Sequence, residues 1–342
     1  MQVVIRTDAS AEIGLGHLMR CLALAQALVA ELVEVIFVLK SHSVPFCQSR
    51  HDWAGQVKVL PQDISQQNEI SWMQQQCWFA QSQFVVLDGY QFDQHYRQQL
   101  AKASEKLVLF DDANLAGNLH ADLIINGAQP LQADYYAKCA PNALLCVGER
   151  HRILRQEFYH QPCIAWPQRH SLTLIMGGSD PKNITLPLLH ALDEQQANMP
   201  IRVIVGAGYA DLPQLQAFIQ RSGLSIQLLV DCQQIADIFS YSRLVVSAAG
   251  GSQYELLACA TPAILLVVAA NQQQATKRAS EQGWCQSADI SQQANFALLA
   301  QHIINLWQNE TALHKMHQHA QRLADTQGAS RVLEKISEML RD

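Results

Sequence analysis

Short apolar runs alternate with longer stretches of helical periodicity along the chain, and that alternation restricts the fold more than any other feature. In the first half, runs at 3–7, 35–39, 57–60, 84–87, 107–110 and 123–125 read as strands. In the second half the strands read at 172–176, 201–205, 226–230, 244–247 and 263–268. After the first run, Leu18, Cys21, Leu22, Ala25, Leu28 and Val29 recur at helical spacing. Such alternation predicts parallel sheets covered on both faces. Met twice in one chain, it predicts an α/β protein of two Rossmann-like domains, at 1–160 and 172–330. Pro162 and Pro167 suit an extended linker over 161–171. A final helix over 331–342 carries Val332, Leu333, Ile336, Met339 and Leu340 on one face and could pack on either domain.

Composition removes several classes of function. Apolar residues make up 49% and charged residues 16%, which is the opposite of a disordered chain. A formal charge of −6 argues against a nucleic-acid or membrane-surface partner. The apolar run at 263–270 falls far short of the roughly 20 residues of a membrane span. The first residues run straight into Arg6 and Asp8, which reads as a strand and not a secretory signal. The 9 cysteines form no C-x-x-C pair, so neither a zinc ribbon nor a disulfide framework is expected. The expected setting is the cytoplasm, with a monomer favoured.

Open parallel sheets bind ligands beyond the carboxyl ends of their strands. Those ends carry Asp8, Asp88 with Tyr90, Asp111 with Asp112, and Asn126 in the first half. The second half offers Gly177-Gly178-Ser179-Asp180, Gly206, Gly208, Gly250-Gly251-Ser252 and Asn271-Gln272. Polar or glycine-rich mouths on both halves predict a cleft between facing domains. Arg6 and Asp8 share one side of the first strand. Beyond them Gly14 and Gly16 precede His17 and Arg20, which are three apart and share a helix face. The helix N-terminus opposes a second positive charge there, which suits an imidazole that must accept a proton.

Gly250-Gly251-Ser252 opens a helix at 253–259, and backbone amides at such a turn favour an anion. Glu255, about one turn further on, can accept two hydroxyl hydrogen bonds from a ribose. Together they suit a nucleoside diphosphate. The lysine of a Walker motif and a complete G-x-G-x-x-G are both missing. Asp180 would repel a phosphate and reads as a capping or interdomain residue. Asp111 and Asp112 point opposite ways on a strand, and no D-x-D accompanies them, so no metal is expected.

The stretch from Arg6 through Asp8, Gly14, Gly16, His17 and Arg20 resembles the opening of the PseG family, the sugar-nucleotide hydrolases of pseudaminic acid biosynthesis. The likeness continues through Asp88-Gly-Tyr90, Asp111-Asp112, Asn126, the glycine loops, Glu255 and Asn271-Gln272. That family resembles the GT-B glycosyltransferases, MurG among them. The resemblance implies hydrolysis of UDP-2,4-diacetamido-2,4,6-trideoxy-β-L-altropyranose to UDP and the free sugar; no cofactor is expected. It implies that His17 serves the attacking water, that Tyr90 and Asn271 lie by the sugar, and that Glu255 holds the ribose. Arg6, Asp8, Gly16, Arg20, Asp88, Asn126, Gly250, Gly251, Ser252 and Gln272 are expected to bind substrate. Glutamine-rich stretches at 62–83 and 286–309 carry no legible motif. Two other readings stay open: a GT-B glycosyltransferase using a UDP-sugar donor, and a non-catalytic sugar-nucleotide binding protein.

Overall fold

The first strand, β1 (Gln2–Arg6), buries Val3, Val4 and Ile5 completely. Alternation sends Val3 and Ile5 into one apolar layer and Val4 into another. A strand apolar on both faces belongs inside a covered parallel sheet. The computed structural model, which describes residues 1–10, 14–128, 132–159 and 164–341, places it there. The chain forms two units, Met1–Tyr159 with Thr326–Asp342, and His160–Asp325.

The first unit adds β2 (Glu34–Leu39), β3 (Gln56–Val59), β4 (Phe84–Leu87), β5 (Leu107–Phe110), β6 (Leu123–Asn126) and β7 (Leu144–Val147). They form a seven-stranded sheet in the order β3-β2-β1-β4-β5-β6-β7, with every pair parallel. The helix Gly16–Ala30 buries Leu18, Cys21, Leu24 and Ala25 on one face of this sheet. At about 1.5–3 kcal/mol for each fully buried large aliphatic side chain, such layers dominate the gain on folding.

The second unit holds β8 (Ser171–Ile175), β9 (Ile201–Val205), β10 (Ile226–Val230), β11 (Ser242–Ala248), β12 (Ala263–Val267) and β13 (Cys285–Asp289). Their order, β10-β9-β8-β11-β12-β13, repeats the doubly wound pattern, again all parallel. Strand order reverses between β1 and β4 in one sheet and between β8 and β11 in the other, and ligands bind at such points.

The structure settles where the last helix docks. It runs from Gly328 to Met339, and Val332, Ile336 and Met339 join the β1 layer of the first unit. Residues 326–330, expected with the second domain, therefore go with the first. Glycine permits the docking: the helix start passes so near the Arg152 carbonyl that a Cβ on residue 328 would collide with it. Of the linker read at 161–171, residues 161–163 lie outside the described residues, and β8 already begins at Ser171. Both glutamine-rich stretches are structured. The first contains the helix Gln66–Gln74, and the second completes β13 and forms the helix Phe296–Gln308. Among the described residues, no helix is long and apolar enough to cross a membrane.

Candidate active site

At the reversal point of the first sheet, the helix Gly16–Ala30 begins directly after the glycine turn, with Leu15 at its cap and no side chain capping it. His17 therefore sits on the first turn, and Arg20 lies three residues on along the same face. Both reach Asp88, the residue that follows β4. The Asp88 amide still donates to the Arg6 carbonyl at 3.1 Å, which extends the sheet by one residue and fixes the carboxylate. Gly89 then takes φ +149, so the chain turns at once and brings the Tyr90 ring edge-on to the imidazole, 4.5 Å between centroids.

The contacts define a charged cluster. His17 Nδ1 lies 2.7 Å from Asp88 Oδ1. Arg20 Nε donates to Asp88 Oδ2 and Nη2 to Asp88 Oδ1, each at 2.5 Å. Arg20 Nη1 donates to Asp112 Oδ2 at 2.6 Å, and the Tyr90 hydroxyl donates to Asp112 Oδ1 at 3.0 Å. The guanidinium also lies over the Phe110 ring, 5.0 Å from its centroid. Burial works to raise the Asp88 carboxyl, but the charge and hydrogen bonds of Arg20, with His17, hold it below the usual carboxylate range. The Tyr90 hydroxyl is pushed up by burial and by the nearby Asp112 charge.

This geometry selects one imidazole tautomer. Arg20 Nη2 also lies 3.0 Å from His17 Nδ1, so Nδ1 could in principle accept from it. A bare Nδ1 would then face a carboxylate oxygen at 2.7 Å, lone pair against lone pair. A proton on Nδ1, donated to Asp88, removes that repulsion and makes a charge-assisted bond. Nε2 is then the basic nitrogen, and the ring's hydrogen bonds among the described residues are both at Nδ1. An imidazole oriented by a buried carboxylate, with its far nitrogen free, can take a proton from a hydroxyl or a water.

Of the residues expected around the substrate in this half, the structure brings together His17, Arg20, Asp88 and Tyr90. Gly16 opens the helix, with no atom within 4 Å of where its Cβ would be. Asp88 is 0% exposed and faces His17, Arg20 and the Cys21 thiol, a placement that orients the imidazole. Arg6 and Asp8 form a second, inner network. Arg6 is wholly buried, 2.7 Å from Asp8 and in a two-pronged pair with Glu69 at 2.9 and 3.2 Å. Tyr96 donates to Glu69, and the Lys40 amide donates to Asp8. Burial opposes the Arg6 charge, and Asp8, Tyr96 and Glu69 outweigh it. Arg6 and Asp8, expected to bind substrate, thus pair with each other and with Glu69 within the first unit. Asn126 is likewise buried, donating to the Tyr136 hydroxyl and accepting from the Ala128 amide, so it shapes the turn after β6.

Sequence reasoning missed Asp112 and Glu69 as parts of these networks. β5 neighbours β4 in the sheet, so the acids at their carboxyl ends come side by side. That neighbour relation is the signal that could have found Asp112. Glu69 came from a stretch without a legible motif. Truncating it should strip the buried Arg6 of one of its two carboxylate partners and cost about 3 kcal/mol, the low end for a broken buried pair because Asp8 remains. Glu69→Ala should accordingly unfold at clearly lower urea, and an unchanged midpoint would contradict the stabilising role.

In the second unit, Gly250 and Gly251 follow β11 and lead into the helix Ser252–Ala258, with Gly251 at its cap. A Cβ at either glycine would meet nothing within 4 Å. The Gly250 amide donates to the Ala248 carbonyl at 2.8 Å and is spent on the turn. Gln253 and Tyr254 donate to the carbonyls of Gly250 and Gly251. That leaves the Gly251 and Ser252 amides as the two without a backbone acceptor among the described residues. Glu255 is half-buried on the first helical turn. Gln272 turns its side-chain oxygen back to the Val268 amide at 2.9 Å and holds the loop after β12. Asn271 belongs to the short helical turn Ala270–Gln272, but its side chain lies outside the described residues. Asp180 accepts from the amides of Ile184 and Thr185, the capping role read for it.

No family model matches the chain. An uncharacterized protein of Methanocaldococcus jannaschii is 24% identical over 289 residues, 78% of this chain, and the match spans about half, 55%, of that relative's length. The UDP-2,4-diacetamido-2,4,6-trideoxy-β-L-altropyranose hydrolase of Campylobacter jejuni is 22% identical, over 72% of this chain and 85% of its own. The spore coat polysaccharide biosynthesis protein SpsG of Bacillus subtilis is 24% identical, over 83% and 82%. Among solved structures, MurG of Acinetobacter baumannii superposes with a TM-score of 0.64 at 14% identity, covering 98% of this chain and 99% of its own. HepE of Anabaena, in complex with UDP, gives a TM-score of 0.65 at 15% identity, covering 99% and 100%. The two parallel-sheet units therefore have the GT-B fold, and the chain's relatives include a sugar-nucleotide enzyme.

Proposed function

We propose that the chain hydrolyses a UDP-sugar, UDP-2,4-diacetamido-2,4,6-trideoxy-β-L-altropyranose, to UDP and the free sugar, with His17 as the general base. The observation that carries this reading is the Asp88-oriented imidazole, whose Nε2 is left free to take a proton. The distant similarity to the Campylobacter hydrolase supplies the substrate. Water gives its proton to Nε2 as its oxygen attacks the anomeric carbon, and Asp88 stabilises the imidazolium that forms. The carbon–oxygen bond to the diphosphate breaks, and UDP leaves as an anion that needs little protonation. Tyr90 and Asn271 are the residues proposed to hold the sugar. No cofactor enters the scheme.

The uridine diphosphate is assigned to the second unit. The Gly251 and Ser252 amides would meet the diphosphate, and Glu255 the ribose hydroxyls. Hydrogen bonds to a charged group are worth about 1.5–3 kcal/mol. Glu255→Ala should weaken UDP by roughly 10- to 100-fold in calorimetric titration, and unchanged affinity would remove Glu255 from the site.

The likeness to MurG favours a second reading, a glycosyltransferase that passes the sugar to an alcohol. The same base would deprotonate that alcohol. Stoichiometric release of UDP and free sugar in water alone, with no acceptor, supports the hydrolase; turnover only with an added acceptor supports the transferase.

A further inference from the structure

Four charged or ionisable side chains come from three elements of the first unit: His17 and Arg20 from the helix Gly16–Ala30, Asp88 from the end of β4, and Asp112 from beyond β5. Tyr90 and the Cys21 thiol also face this cluster, and the Asp111 carboxyl adds its influence beside Asp112. With neutral imidazole, the two carboxylates and one guanidinium carry a net charge of −1. When His17 accepts a proton, the cluster becomes neutral. Asp88 alone would not give that balance. Arg20 grips Asp88 with two nitrogens, and Nη2 stands 3.0 Å from His17 Nδ1, where its charge opposes an imidazolium.

We propose that Asp112 is a positioning residue for the proton-accepting step: it engages Arg20 through Nη1, offsets the guanidinium beside His17, and anchors the Tyr90 hydroxyl so that the ring stays edge-on to the imidazole. The contacts at 2.6 Å to Arg20 and 3.0 Å to Tyr90 are the geometry it stands on. This inference rests on His17 being the base. Removing the Asp112 charge leaves Arg20 and Asp88 balanced against each other, so a proton on His17 becomes an uncompensated positive charge. The base then stays unprotonated to lower pH and accepts a proton less readily in the transition state.

The test is the pH–rate profile of Asp112→Asn and Asp112→Glu in the full chain, with the UDP-sugar as substrate. In Asp112→Asn the acid limb of kcat should move down by about one pH unit, the scale of one lost neighbouring charge. Its plateau kcat should fall about tenfold, with KM and UDP affinity unchanged. Asp112→Glu, which keeps the charge, should return the limb to its original position. A limb that stays put in Asp112→Asn overturns the proposal, as does a limb that moves equally in Asp112→Glu. If Asp112→Asn proves unstable to heat, the limb of Asp112→Glu decides: in place supports the proposal, displaced overturns it. Failure of the underlying reading looks different, because His17→Ala would then keep its activity whatever Asp112 does.

Discussion

His17→Ala should lose about 10²- to 10⁴-fold in kcat, the range a positioned base contributes, while UDP binds as before. The imidazole belongs to the first unit, and the proposed diphosphate contacts belong to the second, so the chemistry and the nucleotide affinity should separate cleanly. Fold loss is not expected to account for the effect. The side chain gives up its hydrogen bond to Asp88, worth about 1.5–3 kcal/mol, and one edge-on ring contact with Tyr90, worth about 0.5–1.5 kcal/mol, and a thermal melt measures that share directly. Turnover in water labelled with heavy oxygen completes the argument. Label in the released sugar means attack at the anomeric carbon. Label in UDP would mean attack at phosphorus and would remove His17 from the role given to it.

Asp88→Asn should be nearly as damaging to turnover, for a different reason, and should also weaken the fold. Both Asp88 oxygens accept from Arg20, and one also accepts from His17. An asparagine has one acceptor and one NH₂ group, so either placement sets an amide N–H against a guanidinium N–H. One placement also turns the imidazole to the tautomer that has no free base. Both remove the charge that stabilises the imidazolium. Losing an orienting aspartate costs up to about 10⁴-fold in kcat in enzymes built on an aspartate–histidine pair. Breaking a buried ion pair costs about 3–5 kcal/mol, and Arg20, 22% exposed, draws the value toward the lower end. The stability part has a pH signature. The Asp88 carboxyl is held below the usual range, so its contribution is present in full above the ordinary carboxylate pKa of about 3.9. It fades as pH falls through the lower, folded-state value. The gap in urea midpoint between the parent chain and Asp88→Asn should therefore be wide at pH 6 and narrow progressively below about pH 4. A gap independent of pH would show that the carboxylate charge is not what stabilises the site.

The fold was legible where strands are apolar on both faces. β1, β4, β5, β8 and β12 bury nearly every residue, and each stood out as an apolar run. Two strands were missed, for different reasons. β13 lies at a sheet edge and reads Cys-Gln-Ser-Ala-Asp, with polar residues turned outward, so no apolar run marks it. β7, at the edge of the other sheet, is the apolar run Leu-Leu-Cys-Val and was legible in principle. The site was legible in its axis and less so in its division of labour. His17 and Arg20 on one helix face were readable from spacing. A polar residue at a strand end was read as substrate-facing, yet at Arg6, Asp8 and Asn126 the side chain turns inward to another buried group. Strand position fixes which end of the sheet a residue occupies; it does not say whether a partner such as Glu69, sixty-three positions away from Arg6, will take it up.

The return of the last helix to the first unit has a consequence for how the chain can be made. Val332, Ile336 and Met339 fill the same apolar layer as Val3, Ile5 and Leu18, so the layer that seats the His17 helix stays open until residues 328–339 have been made. The second unit is one uninterrupted span, His160–Asp325, and its own core waits for none of them. On a ribosome the order of completion thus inverts the order of synthesis: of the two units, the one begun first is finished last. A stop codon within 331–339 should strike the base-bearing unit while leaving the other able to fold.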